Sequence, residues 1–327
     1  MLVDKLFEQV LINPALAGAD ALYIVSGYAT AAMASRHLEE LKVKKCSVKI
    51  HLIVGMCPID GITRDNHEGF KQLVEGGNKL FECSYVSTPP AVHAKSYVWL
   101  KHGQPAQGFV GSANYTQQAF GHAQRECIVP YRAVDAYNYY QSLVSEAIYC
   151  TYHDVEQKVQ IYSRQSRLER VADVQSNTKA LGADTQVISL LDRHGNLPAR
   201  SGLNWGQRPE VKREPNQAYI RVPSKIYKSN FFPQRPKWFT IITDDDKYLQ
   251  CRCAQDYGKA IHTPRNSDLG EYFRARLGVA NGTPITKEDL LHYGRTDVAF
   301  YKIDDETYYM DFSSPSHTKL ASNNAIT

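Results

Sequence analysis

Residues Ala21-Leu22-Tyr23-Ile24-Val25-Ser26-Gly27-Tyr28 form an apolar run with no polar alternation, and this stretch constrains the fold most. A strand with one wet face alternates with period two. A continuous run of strand length is buried on both faces and needs a covering layer on each side. The surrounding chain supplies those layers. Asp4 to Ile12 is helical in pattern, and so is Ala31 to Leu41, with Met33, Leu38 and Leu41 turned inward. Asn66 to Glu75 reads as a further helix, closed by Gly76-Gly77. Between them Ser47 to Gly55 and Lys79 to Val86 read as strands. Later, Glu126 to Pro130 reads as a strand and Ala133 to Tyr149 as one long helix, with Tyr137, Tyr140, Val144 and Ile148 on a stripe. The alternation predicts an α/β domain: a mixed sheet with helices on both faces.

From Ser163 to Ala183 the composition turns polar and charged, which reads as a linker. Beyond it short strand candidates recur: Gln186 to Leu191, Gln217 to Val222, Trp238 to Thr243, Tyr248 to Cys253, Val298 to Ile303 and Thr307 to Phe312. Gly, Pro, Asn and Asp clusters separate them, the pattern of a mostly-β sandwich or barrel. A chain of 327 residues can hold both units. The expected boundaries are 1–165 for the first domain, 166–184 for the linker, 185–315 for the second domain and 316–327 for a polar tail.

No apolar run approaches the roughly 20 residues of a membrane span. Met1-Leu2-Val3-Asp4-Lys5 reads as the start of a helix rather than a signal peptide. The seven cysteines are scattered and form no C-x-x-C pair, which suggests neither a zinc site nor a disulfide framework. Reduced thiols in a cytoplasm fit them. A net charge of +4 permits a nucleic-acid partner.

The chemistry concentrates in Val92 to Leu100 and in Phe109-Val110-Gly111-Ser112-Ala113-Asn114. The first reads as a strand, so residues two apart share a face and His93 and Lys95 emerge side by side. Neutral histidine can attack phosphorus directly. Lys95 would supply fixed positive charge, while Asn114 and the backbone amides near Gly111 and Ser112 could bind non-bridging oxygens. Glu126 is the candidate carboxylate to orient His93 and set its tautomer. Tyr28, closing Ser26-Gly27-Tyr28, reads as a core or sheet-edge tyrosine, with a place at the border of the same cleft as the alternative. A second H-x-K, His317-Thr318-Lys319, has no G-S-x-N partner and reads as accidental.

His93-x-Lys95, then Gly111-Ser112-x-Asn114, then Glu126, resembles the phospholipase D superfamily, in particular its nuclease-like branch with one motif per chain. The resemblance implies phosphodiester hydrolysis through a phosphohistidine, with no metal and no cofactor. His93 would be the nucleophile, Lys95 and Asn114 the phosphate ligands, Ser112 part of the same motif and Glu126 the orienting acid. Many members carry Asp five residues after the Lys, where this chain has Leu100. That departure points away from the phospholipid-cleaving members. One histidine cannot be nucleophile and leaving-group acid at once, so a homodimer with one composite active site is expected.

Between Arg193 and Lys237 ten basic residues face only Glu210 and Glu214. They are interleaved with Asn204, Trp205, Gln207, Asn216 and Gln217; Arg suits guanine edges, Asn or Gln adenine edges, and Lys phosphates. Ser201 to Arg208 and Asn216 to Ile220 resemble the C-terminal domain of NgoFVII-type restriction endonucleases. That resemblance implies a pseudobarrel related to the plant B-three fold, gripping double-stranded DNA with two arms. One arm would carry Arg208, Lys212, Arg213, Asn216 and Gln217. The other would be a polar loop between strands with Arg265, Asn266, Ser267 and Asp268. The resemblance leaves open an accompanying ATPase subunit and a cognate methyltransferase. The expected function is a site-specific restriction endonuclease. Competing readings are a non-specific nuclease, a phospholipid phosphodiesterase and a non-catalytic DNA-binding regulator.

Overall fold

A computed structural model describes residues 1–76, 79–121, 124–163, 185–255 and 258–314. The chain divides into two compact units, Met1–Arg164 and Gln165–Thr327. The linker expected at 166–184, the tail 316–327 and His317-Thr318-Lys319 lie outside the described residues.

After helical turns at Phe7–Ile12, the first unit runs α1 (Asn13–Leu16), β1 (Ala21–Ser26), α2 (Ala31–Val43), β2 (Lys49–Val54), α3 (Cys57–Asp60), β3 (Ile62–Thr63), α4 (Arg64–Glu75) and β4 (Phe81–Val86). It continues with β5 (Lys95–Lys101), β6 (Gln104–Gly111), α5 (Gln117–Phe120), β7 (Ile128–Tyr131), α6 (Ala133–Leu143), β8 (Ala147–Tyr149), α7 (Val155–Lys158) and β9 (Ile161–Tyr162). Seven strands form one sheet in the order β7-β6-β5-β1-β2-β4-β8, in which β1/β2 and β2/β4 are parallel and the other pairs antiparallel. The apolar runs are explained by two cores. Leu22, Ile24, Tyr97 and Trp99 join one core with Met33, Leu41 and Phe70. On the opposite face, Val25 packs with Tyr140 and Leu143, while Val98 and Leu100 pack with Ala136 of α6. Leu100 is therefore a core residue in this chain.

Two expectations need correction here. The helix expected over Ala133 to Tyr149 stops at Leu143, and Ala147–Tyr149 pairs with Ser84–Val86 as an edge strand. The unpaired edge of β4 would otherwise leave its backbone groups without partners, which outweighs a helical stripe through Val144 and Ile148. The strand expected over Val92 to Leu100 begins only at Lys95, so His93 precedes it.

The second unit comprises β10 (Thr185–Ser189), β11 (Ile220–Arg221), α8 (Ser224–Lys228), β12 (Trp238–Thr243), β13 (Tyr248–Ala254), β14 (Ala260–His262), α9 (Ser267–Leu277), α10 (Lys287–Tyr293), β15 (Asp297–Lys302) and β16 (Thr307–Asp311). Its sheet runs β10-β15-β16-β12-β13-β14-β11, with β12/β16 the one parallel pair. Phe232, Phe239, Phe300 and Tyr308 fill its interior, closed by Leu269 and Phe273 of α9 and Leu290 of α10. The stretch read as a loop to the next strand turns at Ser267 into α9. Leu269, Tyr272 and Phe273 bury one helical face there, a spacing of three and four that a strand could not serve.

Candidate functional site

The site is built where β1 ends. Ser26 pairs in register with Lys95, and the Gly27 amide donates to the Ala94 carbonyl at 3.0 Å. A Cβ on Gly27 would stand 3.0 Å from His93 Cδ2 and 3.4 Å from Asn114 Oδ1. The glycine thus lets two chemically capable side chains close over the strand end. His93 is exposed, whereas Lys95 is buried and donates from Nζ to the His93 carbonyl oxygen at 2.8 Å. Burial pulls the Lys95 ammonium below its usual range, and the negative charge of Glu126 opposes that shift. Desolvation and a nearby carboxylate set the charge state of this lysine between them.

Asn114 is held by its oxygen. Its Oδ1 accepts from the Tyr28 backbone amide at 3.1 Å, and the next amide, Tyr115, donates to Ser26 Oγ at 2.9 Å. With the carbonyl end anchored, the side-chain NH2 is the end left to donate. Gly111 is required by close approach, since a Cβ there would lie 2.2 Å from the Cys127 carbonyl oxygen. Ser112 donates its hydroxyl to Glu126 in a short hydrogen bond and accepts from the Cys127 amide at 3.0 Å. The structure therefore brings together His93, Lys95, Asn114, Ser112 and Glu126. Glu126 reaches Ser112 by hydrogen bond and Lys95 through its field; among the described residues it makes no hydrogen bond to His93.

Two residues of this site escaped the sequence reading: Ser26 and Gly27 form its floor. Tyr28 takes the alternative place at the cleft border and is no core residue. Tyr28 is 41% exposed, stands edge-on to His93 with ring centroids 5.9 Å apart, and donates its hydroxyl to Asp60 at 2.6 Å. That bond to Asp60 raises the phenol's pKa. A glycine closing an apolar strand was the available signal.

In the second unit the two expected arms are joined to each other. Glu214 accepts from Asn216 and from the Ser267 hydroxyl, and the Asn216 side-chain oxygen takes the Gly282 amide at 2.7 Å. Asn204 and Gln207 are likewise spent on backbone groups, at Ile285 and at Pro215 and Gly282. Arg265 pairs with Asp268 and Glu271, and Asn266 bonds His262 at 2.6 Å. Burial raises the Asp268 carboxyl above its usual range, against the pull of Arg265. Arg208 donates to the Arg200 carbonyl; Arg213 lies over the Trp205 ring at 4.1 Å and donates to Gln217. Lys212 is exposed at a left-handed turn; its backbone amide donates to the Pro209 carbonyl at 3.0 Å, and its side chain makes no hydrogen bond or ion pair among the described residues.

Two family models match the chain: the NgoFVII restriction endonuclease N-terminal PLD domain over residues 4–157, and the NgoFVII C-terminal B3-like DNA-binding domain over residues 180–304. Among solved structures, Nuc from Salmonella typhimurium, a phospholipase D family member, is similar at 14% identity. That match covers 43% of this chain and 89% of the other, with a TM-score of 0.33. NucT from Helicobacter pylori is similar at 14% identity, covering 45% of this chain and 96% of the other, again with a TM-score of 0.33. No curated protein matches the chain.

Proposed function

The chain belongs to the NgoFVII restriction endonuclease family, and from that premise we propose that it cuts DNA at chosen sequences through a phosphohistidine on His93, with no metal ion in the chemical step. It is a phospholipase D-superfamily endonuclease carrying a B3-like DNA-binding domain. Residues 1–165 would cut and dimerise, and residues 185–315 would choose the site.

The observation that carries this reading is the closure of His93 and Asn114 over Gly27, with Lys95 paired to Ser26 beneath them. A ring nitrogen of His93 attacks phosphorus as the bond to the leaving oxygen breaks, and that oxygen needs a proton. In a homodimer the second copy of His93 would donate it. The same imidazole would then take a proton from water, whose oxygen attacks the phosphohistidine and frees the first. Lys95 and the Asn114 amide would hold the non-bridging oxygens as charge spreads onto them. Lys95 would turn its ammonium from the His93 carbonyl to the phosphate. Glu126, anchored by Ser112, would orient the imidazole once DNA is bound. No helix among the described residues is long and apolar enough to cross a membrane, and a cytoplasm is the proposed compartment. A cognate methyltransferase and an ATPase subunit are proposed partners on family grounds alone.

The test is plasmid cleavage in excess EDTA by wild type and His93→Ala. Wild type should give discrete fragments and the variant none. A smear would replace the restriction reading with a non-specific nuclease, and wild-type cutting by His93→Ala would end the proposed mechanism.

A further inference from the structure

Away from His93, α4 and α7 bring His67, Glu68 and Glu156 together. A ring nitrogen of His67 and one carboxylate oxygen from each glutamate lie within 4.8 Å of one another. His67 is 1% exposed. Its Nδ1 is engaged by the Tyr85 hydroxyl at 3.0 Å, while its buried Nε2 has no hydrogen-bond partner among the described residues. An imidazole fixed through one nitrogen by a buried hydroxyl, with its other nitrogen unpaired and two carboxylates within reach of the ring, is the arrangement of a metal-ligating histidine with its supporting bond. We propose that His67 Nε2, Glu68 and Glu156 form a structural site for a divalent cation of the zinc class, fastening α4 to α7 near the end of the first unit.

The donor set and its charge agree with this. One imidazole and two carboxylates suit Zn2+, whose bonds of about 2.0–2.2 Å place ligand atoms roughly 3.3 Å apart, so modest closure from the present spacing suffices. The moving part would be Glu156, whose side chain is 53% exposed. Burial holds the His67 imidazole neutral with a pKa of about 4, and Arg64 holds the Glu156 carboxyl below its usual range. Arg64 is also the competitor, bonding both Glu156 oxygens at 3.1 and 3.3 Å and lying 3.7 Å from Glu68. An incoming ion must take one oxygen from that guanidinium. None of the three ligands hydrogen-bonds to His93, Lys95, Asn114 or Glu126 among the described residues, so the ion would serve stability and leave the chemistry alone.

The experiment is a calorimetric Zn2+ titration of the chelator-stripped full-length chain, alongside Glu156→Gln and Arg64→Gln, both of which spare the buried core. Wild type should take one ion per chain that raises its unfolding midpoint. Glu156→Gln should bind roughly tenfold or more weakly. Arg64→Gln, which removes the competitor, should bind more tightly than wild type. If wild type takes no ion, or Glu156→Gln binds as wild type does, the site does not exist. Cleavage in EDTA tests the nuclease reading separately, and either can fail without the other.

Discussion

Gly27 decides whether the proposed catalytic side chains can meet. Its missing Cβ leaves room for His93 Cδ2 at 3.0 Å, a separation at which a real Cβ forces its neighbour aside by a few tenths of an ångström. Misplacement of about 1 Å can cost roughly a hundredfold in rate, so Gly27→Ala should slow single-turnover cleavage by about tenfold with the fold intact. Near-UV circular dichroism checks the fold and a rapid-quench assay the rate; unchanged cleavage would remove Gly27 from the site. At residue scale the sequence showed the reactive groups but not what supports them. H-x-K and G-S-x-N were visible as a spacing of chemical types. Ser26 and Gly27 were not, because their contact with Asn114 spans almost ninety residues of chain. The amides offered as base readers raise the reverse question. Asn216 has the right chemistry for adenine, yet it is buried and bonded to Glu214 and Gly282. Asn216→Ala should therefore destabilise the second unit by about 1–3 kcal/mol, the cost of unsatisfying buried partners. Lys212→Ala should leave stability unchanged, weaken DNA binding at every sequence and reduce the salt slope by about one. Urea unfolding and salt-dependent anisotropy separate the two; equal stability of Asn216→Ala and wild type would reinstate it as a candidate reader.

Between residue and fold, individual elements are secured by buried polar groups that no hydropathy pattern reveals. His37 on α2 is the clearest case: Nε2 meets the Leu11 carbonyl and Nδ1 the Tyr115 hydroxyl, both at 2.9 Å. It ties α2 to the N-terminal turns and to the segment after Asn114. Complete burial lowers its pKa from 6.5 to about 4. The unfolded chain therefore takes up a proton at this residue between those values while the folded chain does not. The stabilisation is complete above pH 6.5 and is lost as pH falls toward 4, a swing of about 3 kcal/mol at 1.36 kcal/mol per unit. His37→Gln should flatten the fall in unfolding free energy across that window, read from urea curves at successive pH values. A slope equal to that of wild type would mean His37 carries no linked proton. The same distinction explains which elements were legible. The strand β5 is buried on both faces and β1 nearly so, while β2 and β4 set Lys49, His51 and Glu82 on one face of otherwise apolar runs; all four announced themselves. The short β8 continues a helical stripe, and only the free edge of β4 makes it a strand. In the second unit α10 did leave a mark, the Thr286/Asp289 capping box, but the surrounding strand texture obscured it. Helix α9 left less, because Gly270, which weakens helical propensity, is needed where a Cβ would meet the Asn216 carbonyl oxygen at 1.7 Å.

For the whole molecule the question is how many chains make one active site. The described residues of each chain assemble a single His93, Lys95 and Asn114 set, and the proposed chemistry needs one imidazole to attack phosphorus and a second to protonate the leaving oxygen. Tyr28, the aromatic neighbour found beside His93, already commits its hydroxyl proton to Asp60, and that bond makes it a weaker acid than a free phenol. A second copy of His93 meets the need, and a two-fold axis supplies it without any further residue type. This predicts a nonlinear response to mixing. Wild type and His93→Ala chains, unfolded together and refolded in equal amounts, assort at random. If both copies must be intact, only wild-type pairs cut, and activity falls to roughly a quarter of the all-wild-type value. If each chain cuts alone, it falls to roughly half. The measurement is an initial cleavage rate at fixed total protein, with sedimentation confirming that pairs have formed. A value of one half with pairs present would show that the second histidine is dispensable, and the leaving-group acid would have to be sought within a single chain.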